Sequence, residues 1–183
     1  MEKLSSLAKQ IKEAFEKENT INLKSLADNC TKFAVVEDNK LYAELACISY
    51  ALYKILTKRH IVESLIWKKA SKVILSLLQE IQVHAEENKM EQLAEDLKKI
   101  INSIYEVDER LGHYAQNIFD KARIKQASTA YAYGVSLSRA ATLFNVLKKD
   151  LQEYIGRTTM HDEIKEKFTI KERLKKLKEM LGE

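Results

Sequence analysis

The chain has 183 residues, of which 45% are apolar and 32% are charged, and its formal net charge is +4. This length suits one or two folded domains, and the apolar content excludes wholesale disorder. It contains no proline and only four glycines. Because these residues are the usual helix breakers, their scarcity favours long helices. A hot habitat or a skewed codon usage is an alternative explanation for the Lys- and Glu-rich, proline-poor composition.

Three apolar stripes at helical spacing occupy the first 56 residues, and each predicts one helix. They comprise Leu4, Leu7, Ile11 and Phe15, then Leu23, Leu26, Ala27, Cys30, Phe33 and Ala34, then Leu41, Leu45, Ile48, Leu52, Ile55 and Leu56. Asn22 is predicted to cap the second helix. The sequence Glu37-Asp38-Asn39 is predicted to form the turn that follows it.

Three further stripes continue to about residue 122. One long stripe contains Ile61, Leu65, Ile66, Ala70, Val73, Leu77 and Ile81, the next contains Met90, Leu93, Leu97, Ile101 and Ile104, and the last contains Leu111, Ala115, Ile118, Phe119 and Ala122. Asp108 is predicted to cap the sixth helix. No segment shows sustained strand alternation, and the connections are short. We therefore predict an all-α fold of eight or nine helices, with a multi-helix antiparallel bundle over residues 1–126.

The composition changes in the last third of the chain. Residues 121–183 hold 14 Lys and Arg against 8 Asp and Glu, a net charge of +6, whereas the other 120 residues hold 17 against 19, a net charge of −2. This asymmetry indicates either a polyanionic partner or a solvated basic face. Residues 127–134 are mostly small and end at Gly134, which is predicted to terminate a helix in the left-handed conformation. Ser136 is predicted to cap the next helix.

Residues 136–156 are predicted to form two short helices joined at Asn145, a residue type that tolerates positive φ. The apolar positions are Leu137, Ala140, Ala141 and Phe144 on the first helix and Leu147, Leu151, Tyr154 and Ile155 on the second. The small Ala140 and Ala141 would allow close approach of the second helix, and Val146 would fill the corner.

The stretch from Ala130 to Gly156 resembles the helix-turn-helix of DNA-binding proteins. It is more narrowly similar to small archaeal and bacterial antitoxin-like proteins, in which an Ala/Tyr/Gly segment precedes an S-L-x-R-A-A helix. The resemblance covers only about 30 residues. It implies a non-enzymatic role in binding nucleic acid or a toxin partner.

A recognition helix presents its N-terminal exposed residues to the major groove of double-stranded DNA. In this chain those residues are Lys148, Lys149 and Gln152, and Arg139 and Arg157 are expected to contact phosphates. Two alternatives remain at the sequence level: a helical hairpin that completes the bundle core, or a surface for a protein partner without nucleic-acid binding. The bundle is expected to form a homodimer or to bind another protein.

The C-terminal segment has a capping box at Thr169 and Glu172, followed by Ile170, Leu174, Leu177 and Leu181 at helical spacing. It predicts a basic amphipathic helix that docks on its own domain or on a twin subunit. We assign residues 127–183 to a second unit, which either stands apart from the bundle or packs with it as one domain.

Several kinds of site and segment are not expected. The sequence has no phosphate-binding glycine loop, dinucleotide fingerprint or local nucleophile signature, and His60 with Glu63 is too small a set for a di-metal centre. We expect neither a cofactor nor an enzyme active site.

Cys30 and Cys47 lie in apolar helical patterns and are interpreted as buried, reduced thiols. With no signal peptide and no apolar run of about 20 residues, the protein is expected to be cytoplasmic and not to contact a membrane.

Overall fold

The computed structural model describes residues 2–111 and 117–157, and this part of the chain forms helices without strands. The all-α prediction is therefore confirmed. The helices are α1 (Glu2–Glu16), α2 (Thr20–Glu37), α3 (Lys40–Leu56), α4 (Arg59–Val62), α5 (Leu65–Glu86), α6 (Met90–Arg110), α7 (Ile118–Ala132), α8 (Leu137–Leu143) and α9 (Lys148–Gly156).

One continuous apolar core joins these helices. α2 packs on α3, α5 packs on both α1 and α6, and α7 packs on α3. Trp67 of α5 lies edge-on to Phe15 of α1, with 5.8 Å between the ring centroids. Both cysteines are buried free thiols in this core, which agrees with the sequence interpretation. Burial raises the pKa of each thiol above its usual range, so the thiolate form is strongly disfavoured.

Short polar side chains fix where several helices begin. The predicted cap at Asn22 is wrong, because the Asn19 side chain accepts a hydrogen bond from the Asn22 backbone N–H and α2 begins at Thr20. The predicted turn after α2 is confirmed. Asp38 has a φ of 51° there, and Asn39 caps α3 by accepting a hydrogen bond from the Leu41 N–H.

The stripe predicted as one helix from Ile61 is interrupted at Ser64. Ser64 is extended, and its hydroxyl accepts a hydrogen bond from the Trp67 N–H, so a new helix begins there. α5 buries the face that carries Trp67, Ile74 and Leu78, and Leu65 and Val73 lie outside that face. Leu65 and Val73 are 75% and 51% exposed, so their predicted inward orientation is wrong. The buried positions of α5 are Trp67, Ile74, Leu77, Leu78, Ile81 and Ala85.

The cap predicted at Asp108 is also wrong. This residue lies within α6, where its side chain is buried, and the position before α7 is occupied by Asn117 in the left-handed conformation. Ala115, a member of the same predicted helix, lies outside the described residues. The helix therefore begins near Ile118 rather than at Asp108.

α7 occupies the middle of the fold and continues across the predicted 126/127 domain boundary. It contacts α2, α3 and α6 as well as α8 and α9. Three polar residues, Gln126, Ser128 and Thr129, are buried on it together with its apolar residues. Burial on several faces explains why α7 has a weak apolar stripe in the sequence.

Within residues 2–111 and 117–157, none of the helices combines the length and apolarity that crossing a bilayer requires. The predicted capping box at Thr169 and the amphipathic helix after it lie outside the described residues. The second described range ends at Arg157, the residue after α9.

Candidate nucleic-acid interface

The unit formed by α8 and α9 begins at a glycine turn after α7. Gly134 has a φ of 93°, in agreement with the positive φ predicted for it. The chain then extends through Ser136, whose hydroxyl accepts a hydrogen bond from the Arg139 backbone N–H at 3.2 Å. The predicted cap at Ser136 is confirmed, and it fixes the start of α8.

A sharp turn at Asn145 separates the two helices, in agreement with the prediction. Asn145 has a φ of 52°, and the Val146 N–H donates to the Ala141 carbonyl at 2.9 Å. Val146 is half-buried against the core, where it fills the corner between the helices. α8 and α9 contact each other and both contact α7. The pair is therefore two short helices that are joined by a turn and packed on α7, rather than one continuous rod.

The apolar side of this unit is mostly as expected. Ala140, Ala141, Phe144 and Leu151 are buried. Leu147 is predicted on the same side but is 71% exposed, so that prediction is wrong. The reason is its position: Leu147 is the extended residue immediately before α9, so its side chain does not share the inner face of the helix.

Three of the five predicted contact residues lie together at the start of α9. Lys148, Lys149 and Gln152 are all exposed. Their side chains make no ion pair or hydrogen bond with other residues in the described part of the chain. Lys148 and Gln152 are four residues apart and so share a helix face. These side chains can meet a molecule in solvent without first breaking a contact within the described chain.

The other two predicted contact residues are already paired. Arg139 donates a hydrogen bond from Nε to Asp38 Oδ1 at 2.7 Å and also pairs through its terminal nitrogen with the other carboxylate oxygen. This hydrogen bond raises the pKa of the Arg139 guanidinium. Arg157 pairs with Glu153 one turn earlier on α9. Both arginines lie at the surface, but each has a carboxylate as its present partner.

The N-terminus of α9 is electrostatically unusual. No side chain of residues 2–111 or 117–157 caps it, and Leu147 stands at the cap position. Lys148 and Lys149 occupy its first turn, where the helix dipole is positive and disfavours cations. Asp150 in the same turn is the residue that the dipole favours. Two lysines beside open backbone N–H groups therefore form a locally positive surface.

A cleft of about 250 Å³ lies beside the turn, between α3, α7 and α8, and the sequence does not predict it. Lys40, Glu44, Arg123 and Asn145 are among the residues that line it. Burial is the largest effect on Glu44, and it raises the pKa of that carboxyl although Arg123 and other cations oppose the shift. These side chains come from elements far apart in sequence, so no local motif could have identified the cleft.

The described residues contain no group of three or more His, Cys, Asp or Glu side chains arranged to hold a metal ion. His60 and Glu63 both lie at the surface near the short α4. Comparison with known proteins finds no family model, curated protein or solved structure that matches this chain.

Proposed function

We propose that the protein is a non-enzymatic regulator of the DNA-binding or antitoxin type, and that it binds double-stranded DNA through the N-terminal half of α9. The observation that carries the proposal is the position of Lys148 and Lys149. Both are exposed, lack a partner among the described residues, and flank a helix N-terminus that no side chain caps.

Helix electrostatics favour an anionic partner at this position. Two lysines in the first turn face the positive end of the helix dipole, an arrangement that costs a few tenths of a kcal/mol per charge at an exposed site. A phosphate group would offset that cost, because it attracts both the ammonium groups and the free backbone N–H groups. The same site would favour the backbone of a nucleic acid over an uncharged surface.

The remaining predicted residues have different roles in this proposal. Gln152 lies one turn after Lys148, and a glutamine side chain can form a bidentate pair with adenine. Arg139 and Arg157 would reach phosphates only after exchanging their present partners, Asp38 and Glu153. Non-specific attraction therefore depends first on the two lysines, and Gln152 is the candidate for reading sequence.

A fluorescence anisotropy titration with a labelled random-sequence duplex at two salt concentrations tests the proposal. The Lys148→Ala/Lys149→Ala variant should bind more weakly. For this variant, the slope of log affinity against log salt concentration should become shallower by about 0.9 for each phosphate that the lysines no longer neutralise. Lys68→Ala/Lys72→Ala is the matched control, because it removes the same charge from exposed lysines on α5. Equal weakening in both variants would indicate a general charge effect and would contradict the assignment.

The alternative is a helical protein-interaction module that does not bind nucleic acid. Leu147 is 71% exposed beside the lysines and would supply an apolar contact to such a partner. Absence of duplex binding by the wild-type chain at low salt would reject the DNA proposal and leave this alternative.

A further inference from the structure

The cleft between α3, α7 and α8 combines a buried apolar lining with charges of both signs. Glu44 and Lys40 are one turn apart on the same face of α3, and Arg123 reaches the cleft from α7. The cleft volume of about 250 Å³ lies just below the usual range of small-molecule pockets, so the cleft suits a ligand no larger than an amino acid. The buried apolar side chains that line it are Ala43, Cys47, Leu143 and Phe144.

Arg123 is held in one orientation by its neighbours. Its guanidinium carbon lies 4.8 Å from the centroid of the Phe119 ring, and its Nη1 donates to Tyr105 Oη at 3.4 Å. Tyr105 in turn donates to Asp120 Oδ1 at 2.6 Å. Among the described residues, none accepts a hydrogen bond from Arg123 Nε or Nη2. These two nitrogens form one edge of the guanidinium, and such an edge matches the two oxygens of a carboxylate.

Glu44 lines the same cleft but pairs with neither of its cations. The side chain is half-buried, and no residue within 2–111 or 117–157 forms a hydrogen bond or an ion pair with its carboxylate. A partly buried carboxylate without a partner is unfavourable, and burial raises the pKa of this one. Glu44 therefore favours a cationic group that a ligand brings into the cleft.

We propose that this cleft binds a free α-amino acid with an apolar side chain. The ligand carboxylate pairs with the Nε and Nη2 edge of Arg123, its ammonium group pairs with Glu44, and its side chain packs against the apolar lining. A simple carboxylic acid fits less well, because its carboxylate would lie in the same small cleft as Glu44 and be repelled by it. An amino acid carries the compensating cation one carbon away from its carboxylate. Neither DNA nor the α9 lysines take part, so the inference does not rest on the proposed function.

Isothermal titration calorimetry on the full chain without DNA tests the proposal, with L-leucine, L-methionine and L-phenylalanine at millimolar concentration as probes. At least one of the three should bind saturably. The tightest is then compared with the amine and the acid that keep its side chain but lack one of its charges, which for L-leucine are isoamylamine and isocaproate. Each analogue should bind about 10-fold more weakly or worse, because it leaves one charge of the cleft unpaired. No saturable binding of any probe, or equal binding of the acid analogue, would overturn the proposal.

Two variants assign the binding to these side chains. Glu44→Gln should raise the dissociation constant of the tightest probe about 10-fold, whereas Glu80→Gln, the same charge change at an exposed position on α5, should leave it unchanged. Arg123→Lys should also weaken binding, since lysine keeps the charge but lacks the bidentate edge. Thermal unfolding of each variant separates lost binding from a lost fold. Unchanged affinity in Glu44→Gln, or an equal loss in Glu80→Gln, would contradict the assignment.

Discussion

Arg139 on α8 donates a hydrogen bond from Nε to Oδ1 of Asp38, the left-handed residue that ends α2. This contact connects the α8–α9 pair to a residue 101 positions earlier in the chain. It also places a carboxylate on a guanidinium that is predicted to bind phosphate. Release of Arg139 is therefore a direct way to test whether it can contribute to DNA binding.

Asp38→Asn should release Arg139 while keeping the turn, since asparagine tolerates positive φ well. If α8 and α9 bind DNA as proposed, one more phosphate contact becomes available. The slope of log affinity against log salt concentration should then steepen by about 0.9. Anisotropy titrations of this variant and of Glu63→Gln, which makes the same charge change at an exposed position, provide the comparison. Equal slopes in the two variants would show that Arg139 does not bind the duplex.

Leu147→Ser should stabilise the protein. A serine at the cap position can accept a hydrogen bond from a backbone N–H of the first turn of α9, and such caps contribute about 1 kcal/mol. The change also removes an exposed apolar side chain. Urea unfolding should show a higher midpoint with an unchanged slope. Leu147→Ala is the control, because alanine cannot cap; equal midpoints for the two variants would mean that no cap forms.

Thr31 and Gln126 form a buried polar contact between α2 and α7, with 2.7 Å between Thr31 Oγ1 and Gln126 Oε1. Among the residues that the structure describes, none is a hydrogen-bond partner of the Gln126 Nε2. Thr31→Val should lower the free energy of unfolding by about 1–3 kcal/mol, because it leaves the Gln126 amide buried with fewer partners. Thr31→Val/Gln126→Leu should recover most of that stability. Chemical denaturation of the two single variants and the double variant measures the coupling. If the double variant loses as much stability as the two single variants together, the two residues are not a coupled pair.

Glu44 should make stability depend on pH in a specific direction. Burial raises the pKa of this carboxyl in the folded state, so charged Glu44 opposes folding at neutral pH. As pH falls toward the folded pKa, the folded state takes up the proton first and the penalty disappears. Glu44→Gln should therefore be more stable than wild type at pH 7, with a difference that shrinks as pH falls. A pH-independent difference in thermal unfolding would contradict this.

Much of the local structure follows from the sequence. The period of apolar residues predicts most of the helices, and Gly134, Ser136 and Asn145 correctly mark the end of α7, the start of α8 and the turn before α9. These features succeed because they depend on residues within one or two turns of each other. The exposure of Lys148, Lys149 and Gln152 also agrees with the sequence-level expectation, whereas their binding of DNA remains a prediction.

Local sequence was enough to establish that this chain forms helices and to mark many of the points where polar residues interrupt them. Only the packing of the helices decided which helix faces are buried, since Leu65 and Val73 belong to an apolar stripe but lie at the surface. Packing also decided which charges pair, since Arg139 contacts the distant Asp38. The physical reason is that periodicity is set by neighbours along one helix, whereas burial and ion pairing are set by helices that meet from distant parts of the chain.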